Sequence, residues 1–122
     1  MHNLFFAMLR ILLLLLLPLA ALAAEPPPDI AVGDWVFRAG TGRESAIIRE
    51  MDHGEYSHIG IVTAVEPTVR ITHATTDDDP AHPNQIIESD YAAYTAPAIA
   101  DKTAVARPAF LSADERRAVA AQ

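Results

Sequence analysis

His58 opens the strongest strand-forming stretch of the chain, His58-Ile59-Gly60-Ile61-Val62-Thr63-Ala64-Val65, directly after the polar Glu55-Tyr56-Ser57. An imidazole titrates near neutrality, so a histidine at a strand start beside open space suits general-base chemistry. With the period of two of a strand, His58, Gly60, Val62 and Ala64 share a face, and Gly60 is expected to leave that space. The same spacing also fits a structural histidine bonded to a backbone carbonyl. His73 lies on the next predicted strand, and its relation to His58 depends on register. A tight Pro67-Thr68 turn sets it opposite Val62, about 13 Å along the strand from His58. A three-residue loop sends it to the other face. A four-residue loop, Ala64 to Pro67, makes the two rings cross-strand neighbours, and His73 then orients His58 as the third member of a triad would.

Other chemistry-bearing residues point less far. Asp77-Asp78-Asp79 with His82 invites a metal, as does His73 with the same aspartates, but the spacing and glycine of a calcium loop are missing. A solvated loop accounts for them, and for His53 and His82. No H-E-x-x-H, G-x-S-x-G or phosphate-binding glycine loop occurs, so no cofactor or metal is expected. Ser45, Ser57, Ser89 and Ser112 lack a nucleophile elbow and are assigned to capping and hydrogen bonding, and Tyr91 and Tyr94 to packing. The 122 residues hold no cysteine, which excludes within them a disulfide framework, a thiolate metal site, a lipoprotein anchor and a cysteine nucleophile.

The elements that must position these residues fill one domain. Nine basic against sixteen acidic residues give a net charge of -7, which leaves no electrostatic footprint for nucleic acid or an anionic membrane. Residues 1–23 read as a signal peptide, with Arg10 as n-region, Ile11 to Leu17 as apolar core and Ala21-Leu22-Ala23 as cleavage site. Its apolar run falls short of the ~20 residues of a spanning helix, so no stable membrane insertion and a periplasmic or secreted address are expected. Residues 24–30 form a proline-rich lead-in, and residues 31–122 the domain.

Along that domain the composition predicts a turn at Gly33-Asp34, then a strand at Trp35-Val36-Phe37. A helix capped by Ser45 follows, with Ile47, Ile48 and Met51 on one face and Gly54 in the left-handed stop position. A central strand begins at His58, and an antiparallel partner runs from Val69 to Thr75. Shorter strands are expected at Gln85 to Ile87 and Thr103 to Ala106. Ser112-Ala113-Asp114-Glu115 is a capping box opening a last helix. The fold class expected is α+β, an antiparallel sheet of about four to five strands with one short packed helix and a truncated C-terminal helix.

The order Gly33-Asp34-Trp35-Val36-Phe37, short helix, Tyr56-Ser57-His58-Ile59-Gly60-Ile61-Val62, a strand carrying His73, and Thr103-Ala104-Val105-Ala106-Arg107-Pro108 resembles the YiiX-like permuted papain-like amidases of the NlpC superfamily. Lecithin retinol acyltransferases are more distant relatives of that family. The resemblance covers about residues 30 to 122. It implies a circularly permuted papain-like domain in which His58 is the catalytic base and His73 completes the triad, with Glu88 the alternative for that third role. It implies acyl transfer from an amide or ester, in cell-wall peptides or lipids, through a cysteine made nucleophilic by the histidine. In the family's order that cysteine follows the segment matching Ser112 to Gln122. The chain is therefore expected to be cut short before its nucleophile and inactive as it stands. The alternatives are a non-catalytic acyl- or peptide-binding module and a histidine–aspartate metal protein.

Overall fold

A computed structural model describes residues 24–76 and 79–122; the leader at 1–23 and Asp77 and Asp78 lie outside the described residues. Five strands, β1 (Trp35–Gly40), β2 (His58–Ala64), β3 (Arg70–Ala74), β4 (Ile86–Asp90) and β5 (Ala100–Ala106), form one sheet in the order β4-β3-β2-β1-β5. Every neighbouring pair is antiparallel. The helices are α1 (Arg43–Asp52), the single-turn α2 (Tyr91–Tyr94) and α3 (Ala113–Ala120). The α+β expectation and the strand count are thus met, and β2, apolar on both faces, is the middle strand of the five.

Alternation sorts the sheet into two faces. On the inner face Val36, Val62 and Ile71 are fully buried and pack with Tyr91 and Tyr94 of α2. The outer face carries a polar ladder at one end, where Arg70 pairs with Glu88 at 2.8 Å and Asp90 at 2.6 Å, and Thr63 bonds Thr72. At its other end Trp35, Phe37, Tyr56 and Phe110 make edge and tilted ring contacts with centroids 5.6 to 6.3 Å apart.

Asp34 closes the base of the sheet. Only 2% exposed, it takes two hydrogen bonds of 2.8 Å from Arg107, beyond the end of β5, and one of 2.9 Å from the Ala31 amide. The Gly-Asp turn and the Arg-Pro segment, distant in sequence, are joined by this fork. Gly33 before it sits at φ 89° with the Arg116 backbone close by, a position that requires glycine.

Three local expectations change. Ser45 does not cap α1: the N-cap is Gly42, and Ser45 is the third helical residue, 3% exposed. The left-handed residue after α1 is His53 at φ 54°, not Gly54, histidine being among the side chains that tolerate that region. Ile47 and Met51 stay exposed, since α1 lies at the sheet end rather than across it. The capping box at α3 forms as expected, with Glu115 N–H donating to Ser112 Oγ at 3.2 Å and Ser112 N–H to Glu115 Oε2 at 2.6 Å.

The β2–β3 register also differs from each pairing considered above. Gly60 pairs with His73 and Val62 with Ile71, but a bulge between Val62 and Ala64 shifts the pairing so that Ala64 meets Arg70. Nor is Gly60 beside open space. A Cβ there would run into Ile71 Cγ2 and lie 3.3 Å from His73 Cβ and the Thr72 carbonyl. Gly60→Ala is therefore expected to cost about 1–3 kcal/mol by overpacking, read as a lower urea midpoint at unchanged slope. A wild-type midpoint would show that the inner face has slack there.

Candidate functional site

His58 and His73 face the same cavity from the inner side of the sheet. β1 pairs Arg38 with His58, and β2 pairs Gly60 with His73, so Arg38, His58 and His73 occupy adjacent positions on one face. The loop and first turn of α1, residues Thr75, Thr76, Asp79, Pro80 and His82, and α2 line the remaining sides of a partly open cavity of about 450 Å³. Gly60 does not line this space. The opening expected beside it lies further along, between Gly40, α1 and β4.

His58 is fixed by a residue the sequence reading left to capping. Ser45 Oγ, on α1, lies 3.0 Å from Nε2 of His58, thirteen positions further along the chain at the start of β2. Gly40 makes this contact possible, because a Cβ at that position would collide with Ser45 Oγ. Ser57 steadies the start of β2 in turn: its amide donates to the Arg38 carbonyl at 3.0 Å, and its Oγ accepts from the Gly40 amide at 3.0 Å. A serine three residues into a helix and a histidine opening a strand carry no mutual signal in sequence. Only the glycine-bounded loop Gly40-Thr41-Gly42, which lets α1 fold back on β1, hints that they meet.

His73 is held elsewhere. Its Nε2 lies 2.9 Å from Ser89 Oγ on β4, and its ring meets Tyr94 edge-on with centroids 4.9 Å apart. It is a diagonal neighbour of His58, and the hydrogen-bond partner recorded at His58 Nε2 is Ser45. Glu88 sits on the outer face, bonded to Arg70 and Thr63, and so lies across the sheet from His58.

Arg38 gives the cavity its charge. Its Nη1 donates to the Tyr94 carbonyl at 3.2 Å, and the guanidinium stacks 4.4 Å above the Tyr94 ring. Tyr94 is anchored by its own hydroxyl, which donates to the Val36 carbonyl at 3.0 Å. Burial pushes the Tyr94 phenol up to about 12, against the opposing pull of Arg38, so it remains a neutral donor. Burial also lowers the His73 pKa below its usual 6.5, and the neighbouring Arg38 cation lowers it further.

That direction makes a pH prediction. An imidazole depressed in the folded state is matched to folding while neutral, so its full contribution is present above pH 6.5. As pH falls below 6.5 the unfolded chain takes up a proton that folded His73 resists, and stability declines until the folded value is reached. Thermal melts between pH 7.5 and 5 should therefore show Tm falling on the acid side, with a shallower fall in His73→Gln. Parallel profiles for the two proteins would remove His73 as the cause.

On the cavity rim Asp79 accepts from the Ala81 and His82 amides, each at 3.0 Å, and lies 3.5 Å from the His82 ring. Among the described residues no three histidine or carboxylate side chains gather as a metal-binding group, and Asp77 and Asp78 fall outside them. No described helix is long and apolar enough to cross a membrane.

No family model matches the chain, and no curated protein or solved structure matches it either. The site therefore stands on its geometry.

Proposed function

We propose that this domain is the histidine-bearing part of a permuted papain-like acyl hydrolase, with His58 as its base, acting outside the cytoplasm on amide or ester groups of cell-wall peptides or lipids. The observation that carries the proposal is the Ser45 Oγ–His58 Nε2 pair at 3.0 Å on the wall of a cavity of substrate size. A base must have its ring held and must face the space where the reacting group sits, and His58 meets both conditions. In the chemistry that the resemblance implies, the histidine takes the proton of a cysteine thiol and the thiolate adds to the carbonyl carbon. The histidine then returns the proton to the departing amine or alcohol, and water releases the acyl group. No cysteine occurs among these 122 residues, so by themselves they are expected to hold a substrate without turning it over.

A thiol placed beside the ring tests the base directly. Ser45→Cys sets a sulfur where Oγ now meets Nε2. At pH 6 its alkylation by iodoacetamide should be at least tenfold faster than in Ser45→Cys/His58→Ala, because the imidazole draws off the thiol proton. Equal rates in the two variants would overturn the assignment of His58.

The second reading is a binding module that holds an acyl or peptide group without chemistry. What favours it is that buried Ser45 and His73 and half-buried Arg38 line one cavity in a chain with no cysteine nucleophile. Under that reading His58 is a contact and not a base, and the alkylation rates above would be equal.

A further inference from the structure

The cavity walls carry a cation, Arg38, that forms no ion pair among the described residues. Arg38 is half-buried; its Nη1 is used by the Tyr94 carbonyl, its Nε is enclosed without a hydrogen-bond partner, and Nη2 makes no hydrogen bond among the described residues. None of the ion pairs among the described residues involves Arg38, although the protein has far more acid than base. Arg107 is answered by Asp34 and Arg70 by Glu88 and Asp90, whereas the half-buried Arg49 and Arg116 donate to backbone carbonyls and, like Arg38, form no ion pair among the described residues. Of these three, Arg38 is the one that lines the cavity. Holding a guanidinium away from water without an anion is costly, and in an acidic protein that cost is easily removed by a nearby aspartate or glutamate. Asp79, on the same lining and felt by Arg38 through space, is already engaged by two loop amides and His82.

The rest of the lining fits an anion with a small apolar body. His58, His73, Ser45 and Ser89 supply donors beside Arg38, while Ile87 and Ile99 supply apolar wall. Arginine's planar fork matches a carboxylate better than it matches any neutral group. We infer that this cavity binds a carboxylate, the free end of a short peptide or of an acyl acid, on the guanidinium of Arg38. The inference rests on the functional reading above and names the ligand class of that same site. A neutral amide or alcohol in the same place would leave the half-buried guanidinium without an anion, so the discrimination is expected to be large. The bound carboxylate lies against Arg38 and His73, leaving His58 and Ser45 at the neighbouring part of the ligand.

Calorimetric titration of the full chain tests this with two acids and their amides: N-acetyl-alanyl-alanine, hexanoate, N-acetyl-alanyl-alanine amide and hexanamide. At least one acid should bind ten times or more tightly than its own amide. The peptide acid binding alone identifies a peptide end, and hexanoate alone an acyl acid. Arg38→Gln should lose that tenfold preference while binding the amide as the wild type does, and Arg38→Lys should recover part of it by restoring the charge without the fork. Amides that bind as well as acids, no acid binding, or a preference that survives Arg38→Gln would each overturn the inference. The wild-type comparison decides even if Arg38→Gln does not fold. The alkylation test of His58 uses no carboxylate ligand, so failure here and failure there are read separately.

Discussion

Replacing Tyr94 by alanine is expected to lower stability by about 4 kcal/mol, whereas Tyr94→Phe costs about 1 kcal/mol. The ring is 1% exposed and fills the space between α2 and the inner face of the sheet, against Val36, Val62 and Ile71. Truncation removes that volume from a small core with little means of collapsing around the loss. Phenylalanine keeps the volume and forfeits only the hydrogen bond to the Val36 carbonyl. The same ring supports Arg38 from below and borders His73, so Tyr94→Ala should also abolish the acid-over-amide preference while Tyr94→Phe retains it. Urea unfolding of both variants measures the first effect. A cost for Tyr94→Ala under 1 kcal/mol would mean that the core is not organised around this ring.

The second large effect is at the base of the sheet. Asp34→Ala is expected to cost about 3 kcal/mol, because it removes the acceptor of three hydrogen bonds from a buried position and leaves Arg107 tied to the N-terminal segment through the Asp29 carbonyl and not through a carboxylate. It also changes the response to acid. Burial pushes the Asp34 carboxyl up, but the hydrogen bonds and charge of Arg107 and the Ala31 amide outweigh this, and its folded pKa lies below the usual 3.8. A carboxylate depressed in this way contributes fully above pH 3.8, and the contribution is lost as pH falls through the folded value. Wild-type stability should therefore drop more steeply than that of Asp34→Ala below about pH 4. Equal acid slopes would show that other carboxylates carry the acid limb.

Both residues belong to short motifs with different legibility. The Gly-Asp turn was visible as a turn, but nothing in it named Arg107 as a partner 73 residues away. Tyr94 was readable as packing, and it is; that it also carries Arg38 and borders His73 follows from where α2 lies against the sheet.

What the sequence determined by itself is local. Alternation and β-branched runs mark the strands, because period two decides which side chains leave water. The serine–glutamate spacing at Ser112 marks the start of α3, because both capping bonds close within four residues. The central place of β2 follows from its being apolar on both faces. The functional constellation was left to the tertiary structure. The register, with its bulge after Val62, sets His73 opposite Gly60 rather than opposite Val62 or His58, and a register is invisible to composition. The pairing of Ser45 with His58 and the seating of Arg38 against Tyr94 depend on how α1 and α2 dock on the sheet. Docking is set by packing between elements far apart in the chain, while propensity acts only between neighbours.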